Sequence, residues 1–105
     1  MENDKRELKE FAGYYATSDG HIINRFGRVL REHAQRGVLP CVTIGIKGKV
    51  YTRSVARLVA EAWLGLPTGG KRLGYAVAHI DGDPLNNSIE NLYYEKKLPV
   101  WLLQK

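Results

Sequence analysis

The stretch from Val77 to Tyr94 gathers side chains that can move protons or hold cations. His79 stands before a turn-rich run, Ile80-Asp81-Gly82-Asp83-Pro84-Leu85-Asn86-Asn87-Ser88-Ile89-Glu90, and Asn91 follows it by twelve residues, just ahead of Leu92-Tyr93-Tyr94. An imidazole of ordinary pKa, about 6.5, keeps a neutral, proton-accepting fraction near neutral pH. An amide such as Asn91 donates and accepts at once, so it can tie a loop to the strand beside it. Asp81, Asp83 and Asn87 offer oxygens of the kind that hard divalent cations take. The same side chains also cap the backbone of turns, and Gly82 accepts left-handed conformations. For Asp81, Gly82, Asn86 and Asn87 turn structure is the expectation, which leaves Asp81, Asp83 and Asn87 as weak metal candidates. Taken by itself, His79 reads as a strand-end histidine bonded to the adjacent turn.

These residues need strands to hold them. Tyr75–Ile80 and Leu92–Glu95 read as two strands around the Asp81–Asn91 loop. Ahead of them, Ser54 is placed to cap a helix from Val55 to about Leu64, where Val55, Leu58, Val59, Ala62 and Trp63 recur with helical spacing. Gly65 and Pro67 stop it. Val42–Ile46 and Val50–Arg53 flank Lys47-Gly48-Lys49 as a hairpin. Tyr14–Thr17 and His21–Ile23 flank Ser18-Asp19-Gly20 as another, because Asp-Gly supplies the positive φ that hairpin turns need. Arg28-Val29-Leu30 continues as a strand, and Glu32–Gly37 is a polar connection of helical or loop character. Pro99 can open a last short helical turn through Lys105. The fold class expected is α+β: a polar segment over residues 1–12, helical or frayed, and one domain over 13–105. That domain divides into a β-rich basic part (13–53), a helix (54–65), and a hairpin with a short C-terminal helix (74–105).

With 105 residues, 44% of them hydrophobic, the chain has room for one small domain. The formal charge of +5 favours a polyanionic partner. Between His21 and Ala60 eight cations (Arg25, Arg28, Arg31, Arg36, Lys47, Lys49, Arg53, Arg57) face one acid, Glu32. Such a one-sided segment suits phosphate contacts, which give salt-sensitive affinity largely independent of base sequence. The tyrosines and tryptophans are expected in the core, and His21 and His33 on the surface. A single cysteine, Cys41, excludes an internal disulfide and offers no cysteine-based zinc site. Without an apolar leader or a membrane-length run, the expected address is cytoplasmic.

His79-Ile80-Asp81-Gly82, Asn86-Asn87 and Glu90-Asn91-Leu92 resemble the signature of the HNH endonuclease family of phage and mobile elements, which includes homing endonucleases. Gly13–Gly20 with Gly27-Arg28-Val29 looks like the nuclease-associated modular domain found upstream of such sites. Arg53–Trp63 looks like the helix that precedes the signature. The resemblance implies a two-stranded hairpin and a closing helix around one divalent metal, Mg²⁺ or Mn²⁺. It further implies that His79 is the general base that activates water for attack on phosphorus, that Asn91 orients the site loop and thereby the imidazole, and that duplex DNA is the partner. Two positions depart from the pattern. Many relatives carry Asp, Asn or His before the base and Asn or His about nine residues after the central asparagine, whereas this chain has Ala78 and Val100.

Two functions therefore compete. The first is a DNA-binding HNH-type endonuclease, or a protein derived from one, with metal-dependent phosphodiester hydrolysis weakened by the missing ligands. The second is a catalytically inactive HNH-fold phage protein that binds and inhibits a host nucleic-acid enzyme, using the apolar tail Val100-Trp101-Leu102-Leu103.

Overall fold

Among the described residues, alternating apolar residues meeting tight glycine turns build three antiparallel sheets around one α-helix. In the computed structural model of the chain, residues 4–34, 39–65 and 75–96 are described. The first sheet joins β1 (Lys5–Glu7), β2 (Tyr14–Thr17) and β3 (Ile22–Asn24) in that order. Within the polar N-terminal segment, expected as a helix or a frayed end, Lys5–Glu7 thus form an edge strand, with Lys5 opposite Thr17 and Glu7 opposite Tyr15. Its three side chains stay in water while its backbone completes the free edge of β2, and Leu8 and Phe11 then turn into the core. Charged side chains on such an edge discourage pairing with another chain.

The second sheet holds β4 (His33–Ala34), β5 (Pro40–Ile46) and β6 (Lys49–Ser54). Val42 and Ile44 are buried and Thr43 and Gly45 exposed, the period-two pattern of a half-buried strand. Lys47 and Gly48 both have positive φ, 49° and 80°, which matches the turn to the twist of the strands it joins. Arg28–Leu30 forms no full strand: it adds a bridge between Ile23 and Val29, a bond from the Leu30 amide to the Ile22 carbonyl (2.8 Å) and one from the Asn24 amide to the Arg28 carbonyl (3.0 Å). In the described part of the polar connection after it, where helix or loop was expected, His33–Ala34 form the two-residue strand β4. Its register, His33 opposite Cys41, lets β5 supply the missing hydrogen bonds.

Helix α1 (Val55–Leu64) starts where the Ser54 hydroxyl accepts from the Arg57 amide at 3.2 Å and ends at Gly65, whose φ is 80°. Val55, Leu58, Val59 and Ala62 form the expected buried stripe, widened by Ala56 and Ala60. The helix packs on β2, β5, β6, β7 and β8. At its C-terminal end, Trp63 Nε1 donates to the Ala16 carbonyl (3.0 Å) and the Tyr94 hydroxyl donates to the Gly65 carbonyl (2.6 Å). One helix end therefore ties the first sheet to the third, β7 (Tyr75–His79) paired with β8 (Leu92–Lys96), in which His79 faces Leu92. Tyr14, Tyr51, Tyr94 and Trp63 lie against the core, whereas Tyr93 is exposed. Among the described residues no helix is long and apolar enough to cross a membrane. The expected closing helix Pro99–Lys105, and with it Val100, Trp101, Leu102 and Leu103, lies outside the described residues, as does Arg36.

Candidate active site and nucleic-acid interface

The loop between β7 and β8 is built by its own polar side chains. Asp81 is its hub: Oδ1 accepts from the Asp83 amide (2.8 Å) and from Asn91 Nδ2 (2.9 Å), and Oδ2 accepts from Asn86 Nδ2 (2.9 Å). These bonds favour the charged form, so the Asn86 amide, the Asp83 backbone and the Asn91 amide hold the carboxyl below the usual carboxylate range, against a small opposing effect of burial. Asn91 is buried and uses both ends of its amide. Its oxygen accepts from the Asp81 backbone N–H (3.1 Å), and its nitrogen donates to Asp81 and to the Asn86 carbonyl (2.9 Å). Its own carbonyl accepts from Ile80 (2.8 Å), closing the loop onto the strand end. A single 3₁₀ turn, Ile89–Asn91, delivers it there.

His79 sits at the end of β7, half-buried, and its Nε2 lies 2.8 Å from Asn87 Oδ1. An amide oxygen only accepts, so the ring donates Nε2–H and leaves the Nδ1 lone pair as its proton-accepting atom. Asn87, only 3% exposed, is thus the imidazole's direct partner, although the sequence assigns it to turn structure. Asn91 shapes the loop that carries Asn87 and contacts the ring only through that loop. Two adjacent asparagines in a turn look alike in sequence; what separates Asn86 from Asn87 is which one the loop buries.

The sites of possible metal ligation come out differently. HNH endonucleases generally use a divalent metal. Among the described residues no three His, Cys, Asp or Glu side chains cluster as a cation would require. Asp81 is committed to loop hydrogen bonds, Asp83 Oδ1 accepts from the Leu85 amide (3.0 Å), and Asn87 Oδ1 faces the histidine. With Ala78 beside His79, the donor set does not fit the oxygen-rich shell of Mg²⁺.

The basic residues fall into two groups. Arg25, Arg28, Arg31, Lys47 and Lys49 are exposed, the first three around and beyond the β3 turn and the lysines at the β5–β6 tip. Asn24 Oδ1 stiffens the former turn by accepting from the amides of Phe26 (2.9 Å) and Arg28 (3.0 Å). Arg53 and Arg57 are instead half-buried and engaged: Arg53 reaches Glu10 at 3.5 Å and lies over the rings of Phe11 and Tyr51, while Arg57 bonds Glu61 at 3.1 Å. His21 and His33 are exposed, as expected, and contact Glu32 (2.9 Å) and Thr43 (3.0 Å).

A strand-end histidine, a self-bonded asparagine loop and a paired strand returning beneath them define an HNH-type nuclease fold. Residues 53–97 match the family model of the HNH endonucleases. The solved structure of the HNH homing endonuclease I-HmuI, reported for its DNA binding and cleavage, superposes with a TM-score of 0.73 at 25% sequence identity. The match covers 89% of this chain and 52% of that one, so the present chain spans about half the length of I-HmuI. No curated protein sequence matches the chain.

Proposed function

We propose that this chain is a duplex-DNA-binding protein of the HNH endonuclease family that presents the Nδ1 atom of His79 as a proton acceptor beside a bound phosphodiester. The observation that carries this reading is the 2.8 Å bond between His79 Nε2 and buried Asn87, which spends one ring nitrogen on orientation and leaves the other for chemistry. Arg25, Arg28, Arg31, Lys47 and Lys49, exposed and crowded into one sequence segment, supply the attraction for phosphates. Arg53 and Arg57 serve the fold first, through Glu10 and Glu61.

The base by itself accounts for about 10²- to 10⁴-fold acceleration, and phosphodiester cleavage also needs positive charge on the phosphate and the leaving oxygen. The described residues around His79 supply no such clamp, so binding is the stronger property of this chain and cleavage the weaker. Titrating a labelled duplex at rising salt tests the binding: a steep loss of affinity is expected, and affinity indifferent to salt overturns the reading. Incubating supercoiled plasmid with Mg²⁺ or Mn²⁺ tests the base. Any nicking should vanish in His79→Ala, and nicking that survives this change assigns the proton transfer elsewhere.

A further inference from the structure

Asn87 can hold His79 only if something holds Asn87, and the loop's own bonds centre on Asp81, Asn86 and Asn91. The support comes from the opposite end of the chain. The β2–β3 turn, Ser18–Gly20, lies against the far side of the site loop: the Ser18 carbonyl accepts from the Ile89 amide (2.9 Å) and lies 3.5 Å from the Ser88 hydroxyl. Gly20 is buried in this contact, and its backbone meets Asn87 directly. A Cβ added there would stand 2.4 Å from the Asn87 carbonyl carbon, 2.5 Å from its oxygen and 2.8 Å from the Ser88 nitrogen. All three are backbone atoms, which cannot swing aside as the tip of a side chain could.

We propose that Gly20 is a positioning residue for His79: by lacking a side chain it lets the β2–β3 turn seat the Asn87 backbone, and through Asn87 it sets the tautomer and direction of the imidazole. The catalytic meaning of this contact rests on the reading of His79 as a proton acceptor, but the positioning itself does not. A turn of the upstream sheet, about sixty residues away in sequence, is thereby part of the site. Thr17 and Asp19 brace that turn, the threonine hydroxyl donating to the aspartate carboxylate.

The test follows the ring nitrogens of His79 by ¹⁵N NMR in the full chain. The parent should give the signature of a single Nε2–H tautomer. Gly20→Ala should lose it, giving averaged tautomer signals, and Asn87→Ala should give the same loss with the turn untouched; adding Gly20→Ala to Asn87→Ala should then change the ring no further. Gly27→Ala controls for backbone strain, because Gly27 also has positive φ (80°) but nothing within 4 Å of an added Cβ. If Gly20→Ala does not fold, Asp19→Ala, which only loosens the turn, decides the matter by a partial loss of the same signature. An unchanged His79 signature in the folded turn variants overturns the proposal, as does an equal disturbance from Gly27→Ala. Absence of plasmid nicking bears on the proton-acceptor reading alone, since the NMR signature needs no turnover.

Discussion

The Asp81–Asn91 loop and the basic turns around Arg25 and Lys47 are both polar surface features, yet they are organised in opposite ways. In the loop, Asp81, Asn86, Asn87 and Asn91 spend their hydrogen-bonding capacity on one another, on the backbone and on His79. In the basic turns the cations are exposed to water, and around Arg25 the Asn24 side chain braces the backbone. A proton-transfer group must be held to within a fraction of an ångström, which demands saturated partners. Phosphate attraction tolerates a moving cation, and a guanidinium already locked in an ion pair has less to offer. The contrast between exposed Arg25 and engaged Arg57 makes the same point within one residue type.

The sharpest way to break this contrast is to remove the loop's keystone. Asn91→Ala should destabilise the protein by about 2–3 kcal/mol, because it strips a buried amide that makes three hydrogen bonds and leaves their partners short. Urea unfolding measures it; a loss below about 0.5 kcal/mol would mean the loop is as loosely built as the turns. Next comes the open region. Changing Arg25, Arg28, Lys47 and Lys49 together to Gln should leave stability almost untouched. It should also flatten the salt dependence of duplex binding by about 0.9 in log–log slope for each cation that meets a phosphate.

Asp81 offers a pH-dependent version. Its folded-state pKa is depressed, so its contribution is complete above the ordinary carboxylate range and is lost as pH falls through the folded value. Asp81→Asn should therefore lower stability at neutral pH and converge with the parent toward strongly acidic pH; parallel stability curves would remove Asp81 as the hub. The smallest effect is expected at Arg57→Gln, about 0.3–0.5 kcal/mol for a helical ion pair one turn apart. Its duplex affinity should change less than that of Arg25→Gln, and a reversed order would place the interface on the engaged arginines.

Much of this was legible in sequence because it depends on local rules. The Val55–Leu64 helix followed from apolar spacing and from a serine and a glycine at its ends, the Lys47-Gly48 turn from its glycine, and the loop's extent from its density of Asp, Asn and Gly. The spacing of His79 and Asn91 marked the resemblance to the HNH endonucleases, whose family model matches residues 53–97. Other features were not local. Lys5–Glu7 looks like a solvated end until β2 presents an unpaired edge, and the Arg53 charge looks available until folding brings Glu10 to it.

The amino-acid sequence by itself determined which side chains could do chemistry here, since residue type and spacing carry proton affinity and turn preference. Only the tertiary structure decided which asparagine holds the imidazole and that a glycine of a distant hairpin supports it. Burial and close contact are properties of a place in space, and residues far apart along a chain acquire them only when the sheets close on the helix.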